Sequence, residues 1–228
     1  MMNEVQWLRS LYLEDLTKIV NYGGNDRPRV RHPNNWLKLD QDVVFLKEEQ
    51  EQIVLPNPDK KIWVWSDQHF FHKNIIDFCD RPFHNVEEMT WNLVANYNEI
   101  VGPDDVCIWG GDVGFGNDTA INQVLDQCQG YKILVIGNHD LNKGKLRKLN
   151  FDEIHLVYLI DEILFTHYPM ENIPWPWFNV HGHLHAYPNH DTGHPLHLNM
   201  NCEIHGYKPV DFEEIKRIAK IRVEAYDK

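Results

Sequence analysis

Five short apolar runs along the chain end abruptly in polar side chains that can bind metal or carry protons. The central run covers residues 133–136 and passes through Gly137 into Asn138, His139 and Asp140. Consecutive apolar residues rich in Ile and Val predict a strand that is buried on both faces. The other runs end at Asp67-Gln68-His69, at Asp112, at His167 and at His181-Gly182-His183-Leu184-His185. Because open α/β sheets bind ligands at the carboxyl ends of their strands, this pattern predicts a site built at strand ends.

Helical spacing alternates with these strands from residue 67 onward, which predicts one α/β domain over residues 61–228. We expect helices over 74–79, 86–100, 119–128 and 143–149. A last helix is expected after Pro209, with Asp211 and Glu214 in a capping box. The expected strands beyond the first three cover 154–159, 162–166, 178–181 and 196–200.

Residues 1–60 are predicted to form an extension that packs on this domain or covers it. Apolar residues at helical spacing predict a helix over 4–20, and residues 43–46 suit a short strand. Between them the segment 27–33 is the most basic in the chain, and its prolines predict an extended loop. That loop is either solvated or folds over the site and meets a phosphate, since Arg binds phosphate through paired hydrogen bonds.

Composition narrows the possible partners. The 228 residues suffice for one substantial core. The chain shows neither an apolar run of roughly 20 residues nor a signal-peptide pattern, so we expect a cytoplasmic protein that does not enter the membrane, with its four scattered cysteines reduced. The net charge of −12 opposes binding of extended nucleic acid. A small anionic substrate remains compatible, because bound divalent cations reverse the local field.

Seven side chains at the strand ends are candidate metal ligands: Asp67, His69, Asp112, Asn138, His167, His183 and His185. This set is too large for one tetrahedral ion and therefore predicts two. Two ions about 3.5–4 Å apart, joined by a carboxylate and a water or hydroxide, suit in-line attack at phosphorus. Imidazole and carboxylate ligands favour manganese, iron, zinc, nickel or cobalt over magnesium, and manganese is our working choice.

These residues resemble the motifs of the calcineurin-like metallophosphoesterases. That superfamily has Asp-x-His, Gly-Asp, Gly-Asn-His-Asp/Glu, a lone His and Gly-His-x-His in this order. All five are intact here, as Asp67-Gln68-His69, Gly111-Asp112, Gly137-Asn138-His139-Asp140, His167 and Gly182-His183-Leu184-His185. The resemblance covers roughly residues 60–220. The stretch 67–75 and the downstream Arg81-Pro82-Phe83 are similar to a bacterial and phage branch.

The resemblance implies a four-layer α/β/β/α sandwich of two mixed sheets, with metals at the carboxyl ends of the strands. It also implies a role for each position. Asp67, His69 and His185 would hold the first ion, Asn138, His167 and His183 the second, and Asp112 both. His139 would lie beside the substrate phosphate with Asn138 and protonate the leaving oxygen, while Asp140 orients the His139 ring.

The implied activity is that of a dinuclear metal-dependent phosphoesterase. The acidic charge, the small size and an aromatic segment favour a phosphodiesterase that hydrolyses a nucleotide-sized substrate through a metal-bridging hydroxide. Alternatives are a phosphomonoesterase acting on nucleotides or phosphoproteins, and a nuclease, although a nuclease needs a broader basic track. A noncatalytic scaffold on the same fold is the competing class, and His139, which binds no metal in this scheme, argues against it. The sequence leaves the oligomeric state open.

Four further positions have two interpretations each. His72 touches the substrate phosphate, as a helical turn after His69 would allow, or it caps or packs. Arg81 meets the same phosphate or forms a surface ion pair. His181 supports a metal ligand through a hydrogen bond or is otherwise structural. The segment 175–178, Trp-Pro-Trp-Phe, packs in the core or forms a wall on which a nucleobase stacks.

Overall fold

The computed structural model describes residues 60–140, 148–186 and 192–227, together with the isolated positions Ser10 and Leu146. The predictions made for the extension, namely the helix over 4–20, the basic loop 27–33 and the strand over 43–46, lie outside the described residues. Most of the helix expected over 143–149 does as well.

Strands and helices alternate through the first half of the described chain, and strands predominate in the second. In chain order they are β1 (Ile62–Trp65), α1 (Asn74–Phe78), α2 (Val86–Asn98), β2 (Val106–Trp109), α3 (Asp118–Leu125), β3 (Tyr131–Val135), β4 (Glu153–His155), β5 (Tyr158–Ile160), β6 (Ile163–Thr166), β7 (Phe178–His181), β8 (His197–Asn199), β9 (Val210–Asp211) and α4 (Phe212–Tyr226). Polar caps set where two helices begin, because the side chains of Asn85 and Asn117 accept N–H groups of the first turns of α2 and α3.

The strands form two sheets. The first has the order β4-β3-β2-β1-β9, with β1 to β4 parallel and β9 antiparallel to β1. The second has the order β5-β6-β7-β8, with β5 antiparallel to β6 and the others parallel. The prediction of an α/β fold with two mixed sheets is therefore confirmed.

Two sequence-based expectations need correction. The strand expected over 154–159 is two strands, because the chain bends at Leu156 and Val157 and passes from the first sheet to the second. Both side chains at the bend are buried, so the apolar pattern runs on without a break. The capping box at α4 is only half formed, because Asp211 is the N-cap residue as expected but Glu214 does not bond back to it. Asp211 accepts the N–H of Glu213, while the carboxylate of Glu214 pairs with Arg217.

Alternating side chains of the first sheet divide the core in two. Val64 and Ile108 face the second sheet and share a cluster with Phe165 and Val180. On the opposite face, tryptophans and other large side chains share a cluster with apolar residues of α2 and α3. The rings of Trp65 and Trp109 meet edge to face at 4.9 Å, a favourable geometry for buried aromatic pairs.

The described helices are all too short or too polar to span a bilayer.

Candidate metal centre

Strand register brings the predicted ligands to one end of both sheets. In the first sheet Trp65 pairs with Trp109, and Trp109 pairs with Leu134, so β1, β2 and β3 end nearly level. In the second sheet Thr166 pairs with His181, which places the residues that follow β6 and β7 side by side. A bridge between Ser66 and Asn201 and several loop hydrogen bonds then join the two sheets at this end.

The first ligand cluster consists of Asp67, His69 and His185, whose ligand atoms lie within 4.8 Å of one another. The Nε2 atoms of His69 and His185 are each 3.9 Å from Asp67 Oδ1. Asp67 is fully buried, and its carboxylate accepts hydrogen bonds from the Ser66 hydroxyl and from the backbone N–H of His183.

The second ligand cluster consists of Asp112, His167 and His183, and Asn138 adjoins it. His167 Nε2 lies 3.4 Å from Asp112 Oδ2 and 2.9 Å from Asn138 Oδ1. Its Nδ1 lies 2.8 Å from the carbonyl oxygen of Gly110. A histidine whose Nδ1–H donates to a carbonyl presents the lone pair of Nε2, which is the arrangement found in metal sites.

Asp112 lies between the two clusters. Its Oδ2 is 3.6 Å from the Nε2 of His69 in the first cluster, in addition to the contact with His167 in the second. Its Oδ1 accepts the backbone N–H of His139. The structure thus brings all seven predicted ligands together around one buried carboxylate.

The glycines that precede the ligands are required because the loops approach so closely. A Cβ atom at Gly137 would overlap the backbone nitrogen and the carboxylate of Asp112. A Cβ atom at Gly182 would overlap the Ser66 hydroxyl and the carboxylate of Asp67. Each glycine therefore leaves room for a ligand that comes from a neighbouring strand.

Five of the seven candidate ligands have a left-handed backbone: Asp67, His69, Asp112, His183 and His185, with φ values from 52° to 68°. Residues other than glycine rarely adopt this conformation, and its strain persists only where the surroundings enforce it. Its concentration here favours a functional role for the loops.

The buried ring of His69 supplies the test of whether a metal fits. Neither ring nitrogen of His69 has a hydrogen-bond partner among the described residues, although the residue is only 1% exposed. Such an unpaired buried group costs free energy. Since Nε2 faces the carboxylates of Asp67 and Asp112, a divalent cation between them would satisfy it. The donor set therefore fits a metal ion.

The electrostatics of the cluster favour cations. Burial alone would lower the pKa of His167, but the Asp112 carboxylate raises it to about 9. Burial also opposes protonation of His185, while hydrogen bonds to Cys79 and Glu203 raise its pKa to about 11. The carboxylates that stabilise a proton on these two rings would equally stabilise a metal cation in its place. Burial holds the pKa of His69 well below its usual range, so this imidazole keeps the neutral form that a ligand needs.

Arg81 has neither of its two expected roles. It is buried, and its guanidinium donates to the carbonyl oxygens of Asp67 and Gln68 at 2.7 Å. It also pairs with Glu203 at 2.7 Å, and Glu203 accepts from His185 Nδ1 at 3.0 Å. Arg81 therefore supports the first cluster through the Asp67 backbone and through Glu203, instead of contacting a substrate or lying on the surface.

Glu203 was missed by the sequence analysis, although a signal was present. It lies four residues after β8, so the rule that found the ligands, polar residues beyond the end of an apolar strand, applies to it as well. Cys79, His185 and Glu203 together have the spacing of a ligand set. The guanidinium of Arg81 against Glu203 opposes a cation there, and we assign Glu203 to the support of His185.

The expected role of Asp140 also needs correction. Its carboxylate does not orient the His139 ring but accepts the backbone N–H groups of Asp112, Val113 and Gly137 at 2.7–3.1 Å. Asp140 thereby ties the loop after β2 to the loop after β3. It fixes the second cluster through the backbone.

His139 and His72 lie at the rim of the cluster. The side chain of His139 is 44% exposed, and its Nε2 lies 3.8 Å from Asp112 Oδ2. The His72 ring lies 5.3 Å from the His69 ring and stacks on Phe115 at 3.8 Å. Burial lowers the pKa of His72 to about 4. The sequence analysis missed Phe115, because a single Phe between two glycines has no pattern of its own.

The remaining positions are structural. Trp177 and Phe178 are buried in the two core clusters, whereas Trp175 is 55% exposed, so most of this aromatic segment packs in the core. His181 is buried, and its Nδ1 lies 2.9 Å from the carbonyl oxygen of Gly182, the residue before the candidate ligand His183. None of the four cysteines forms a disulfide in this structure.

The fold and the two ligand clusters define an α/β protein with a candidate metal centre at the carboxyl ends of its strands. No family model matches the chain. It is 31% identical over 169 residues to the uncharacterized protein MJ1445 of Methanocaldococcus jannaschii, a match that covers 70% of this chain and 91% of that protein. The chain therefore belongs to the same family as MJ1445.

A solved structure is similar as well. The crystal structure of the protein of unknown function AQ665 from Aquifex aeolicus matches with a TM-score of 0.56 and 27% sequence identity, over 70% of this chain and 100% of that one. The fold of about 70% of this chain is thus similar to that of an experimentally determined protein.

Proposed function

We propose that this protein is a calcineurin-like metallophosphoesterase, preferably a phosphodiesterase acting on a nucleotide-sized substrate. The observation that carries the proposal is the convergence of imidazoles on Asp112. Its Oδ2 lies within 3.8 Å of the Nε2 atoms of three histidines, namely His69, His139 and His167. One carboxylate that reaches both ligand clusters is what a two-ion centre needs.

The residues divide into two sets of ligands in this proposal. Asp67, His69 and His185 hold one ion, Asn138, His167 and His183 hold the other, and Asp112 serves both. Two bound divalent ions, with manganese the working choice, lower the pKa of water that they bind and offset the charge of the phosphate. The two mixed sheets and the position of the ligands at the strand ends support the four-layer sandwich expected of this superfamily.

His139 acts on the leaving group in this proposal. It is the exposed histidine among the three around Asp112 Oδ2, so its ring is accessible to a substrate. Its backbone N–H donates to Asp112 Oδ1, which fixes its position beside the cluster. From there the imidazolium donates a proton to the departing alcohol oxygen.

The test combines metal analysis with hydrolysis of bis-p-nitrophenyl phosphate and p-nitrophenyl phosphate, with and without added manganese. We expect two ions per chain and faster cleavage of the diester. His139→Ala should keep both ions but lose about 10²–10⁴-fold in turnover of a dinucleotide, whose departing alcohol oxygen needs a proton, and much less with the p-nitrophenyl esters, whose phenolate leaves without one. His84→Ala, which removes an exposed histidine outside the ligand clusters, is the control and should change neither quantity.

Three results would each contradict a part of the proposal. Absence of metal uptake together with absence of hydrolysis would support the noncatalytic scaffold instead. Full turnover of a dinucleotide by His139→Ala would refute the acid–base role. Equal rates on the two esters would remove the preference for diesters and leave the phosphomonoesterase as a matching alternative.

A further inference from the structure

An exposed aromatic ring borders the candidate metal centre. Phe115 lies three residues after Asp112, in the loop between β2 and α3, and is 44% exposed. Its ring centroid lies 4.7 Å from that of His139 and 5.7 Å from that of His69. A substrate whose phosphate contacts the ligand clusters would therefore have this ring within reach.

The ring belongs to a continuous aromatic surface. Phe115 stacks on His72 with centroids 3.8 Å apart and planes 18° apart. Phe78, which is 56% exposed, contacts the same His72 ring edge to face, with centroids 6.4 Å apart. We call Phe115, His72 and Phe78 the aromatic platform. Isolated apolar side chains on a surface are common, but three adjoining rings beside a ligand cluster are not isolated.

The backbone holds Phe115 in place. Its N–H donates to the carbonyl oxygen of Phe70 at 2.8 Å, and the N–H of Phe70 donates to the carbonyl oxygen of Val113 at 2.8 Å. A side chain at Gly114 would come within 2.7 Å of Ile121 and of the Phe70 carbonyl, so this loop packs closely on the core. A fixed ring loses little conformational freedom when a ligand stacks on it.

We propose that the aromatic platform binds the nucleobase of a nucleotide substrate whose phosphate lies at the candidate metal centre. This inference rests on the proposed function, because the phosphate determines how far the base extends. A nucleobase is the planar group that aromatic side chains bind by stacking, with little preference for the kind of base. In the segment 175–178, Trp177 and Phe178 are buried in the core, so within that segment only the ring of Trp175, which is 55% exposed, is open to a ligand.

The test measures binding by calorimetry to the manganese-loaded protein. The probes are inorganic phosphate and the hydrolysis-resistant phosphonate analogues of AMP and of ribose 5-phosphate, which differ only in the base. We expect the AMP analogue to bind at least about fivefold more tightly, the lower end of what stacking on one aromatic ring contributes. Phe115→Ala and Phe115→Leu should both reduce this preference towards one, because Leu keeps apolar volume but has no ring.

Trp91→Ala is the matched control. Trp91 is a 42% exposed aromatic residue on α2, and its removal should leave the preference for the base intact. Circular dichroism verifies that each variant is folded. Equal affinity of the unaltered protein for the two analogues, or a preference that persists in Phe115→Ala, would overturn the proposed role of the aromatic platform. Binding of inorganic phosphate in the same experiment would still support the candidate metal centre. If none of the three probes bound, the proposed function and this inference would fail together.

Discussion

The two ligand clusters are supported in different ways. In the first, a charged chain of side chains fixes the ligands, since Arg81 pairs with Glu203 and Glu203 accepts from His185. In the second, backbone groups do so. The carbonyl of Gly110 lies against His167, and Asp140 accepts N–H groups from both loops that carry ligands.

This difference determines what one substitution removes. A buried ion pair that loses one partner leaves a charge without compensation, which is strongly destabilising. A carboxylate that accepts several backbone N–H groups does not depend on one partner. An amide in its place still accepts some of these hydrogen bonds. We therefore expect the first cluster to be more sensitive to change in its supporting residues than the second.

Asp112→Asn should have the largest effect, because it affects both clusters at once. The change removes the charge that faces His69 and His167. We expect the affinity for both ions to fall by more than about 100-fold, beyond the 10–100-fold typical of supporting residues, and hydrolysis to be lost. Elemental analysis of the purified variant measures how many ions it retains. Asp161→Asn, at an exposed turn, is the control. Two ions per chain in Asp112→Asn would show that Asp112 does not link the clusters.

The sequence predicted the second cluster and its loops better than the support of the first. Gly137, Asn138 and Asp140 are consecutive or nearly so, and the apolar run before them indicates the strand that presents them. The role expected of Asp140 was wrong, because a motif does not reveal which group a carboxylate faces. Arg81 and Glu203 lie 122 residues apart, and no periodicity connects them.

The same reasoning applies to the fold. Buried strands and amphipathic helices follow from local pattern, and most of their positions were predicted. The bend at Leu156 was not predicted. The chain is buried both before and after it passes from the first sheet to the second, so its apolar pattern resembles that of one strand. The rim is the hardest part to predict, since Phe115 owes its position to hydrogen bonds between two loops.

Glu203→Gln should have the next largest effect. It leaves the positive charge of Arg81 buried without a carboxylate to compensate it and weakens the hydrogen bond that holds His185. We expect a loss of about 3–5 kcal/mol in the free energy of unfolding and a 10–100-fold lower affinity for one of the two ions. Urea unfolding in EDTA and metal titration measure the two quantities separately.

The matched control for Glu203→Gln is Glu214→Gln, which breaks an exposed Glu–Arg pair on α4. There the side chains of Glu214 and Arg217 are 45% and 63% exposed, against 3% and 0% for Glu203 and Arg81. Exposed pairs typically contribute less than about 1 kcal/mol. Equal losses in the two variants would mean that the buried pair does not support the first cluster.

Asp140→Asn should have the smallest effect of the three. The amide oxygen of Asn still accepts from part of the set of three N–H groups. The amide NH₂, however, replaces a carboxylate oxygen and so places one donor against another. Burial and, to a smaller extent, repulsion by the Asp112 carboxylate raise the pKa of Asp140. Loss of the Asp140 charge removes this repulsion. We expect a loss of about 1–3 kcal/mol in the free energy of unfolding, with both ions retained at saturating manganese. Urea unfolding beside Asp161→Asn measures it, and a loss larger than that of Glu203→Gln would reverse the ranking of the two supports.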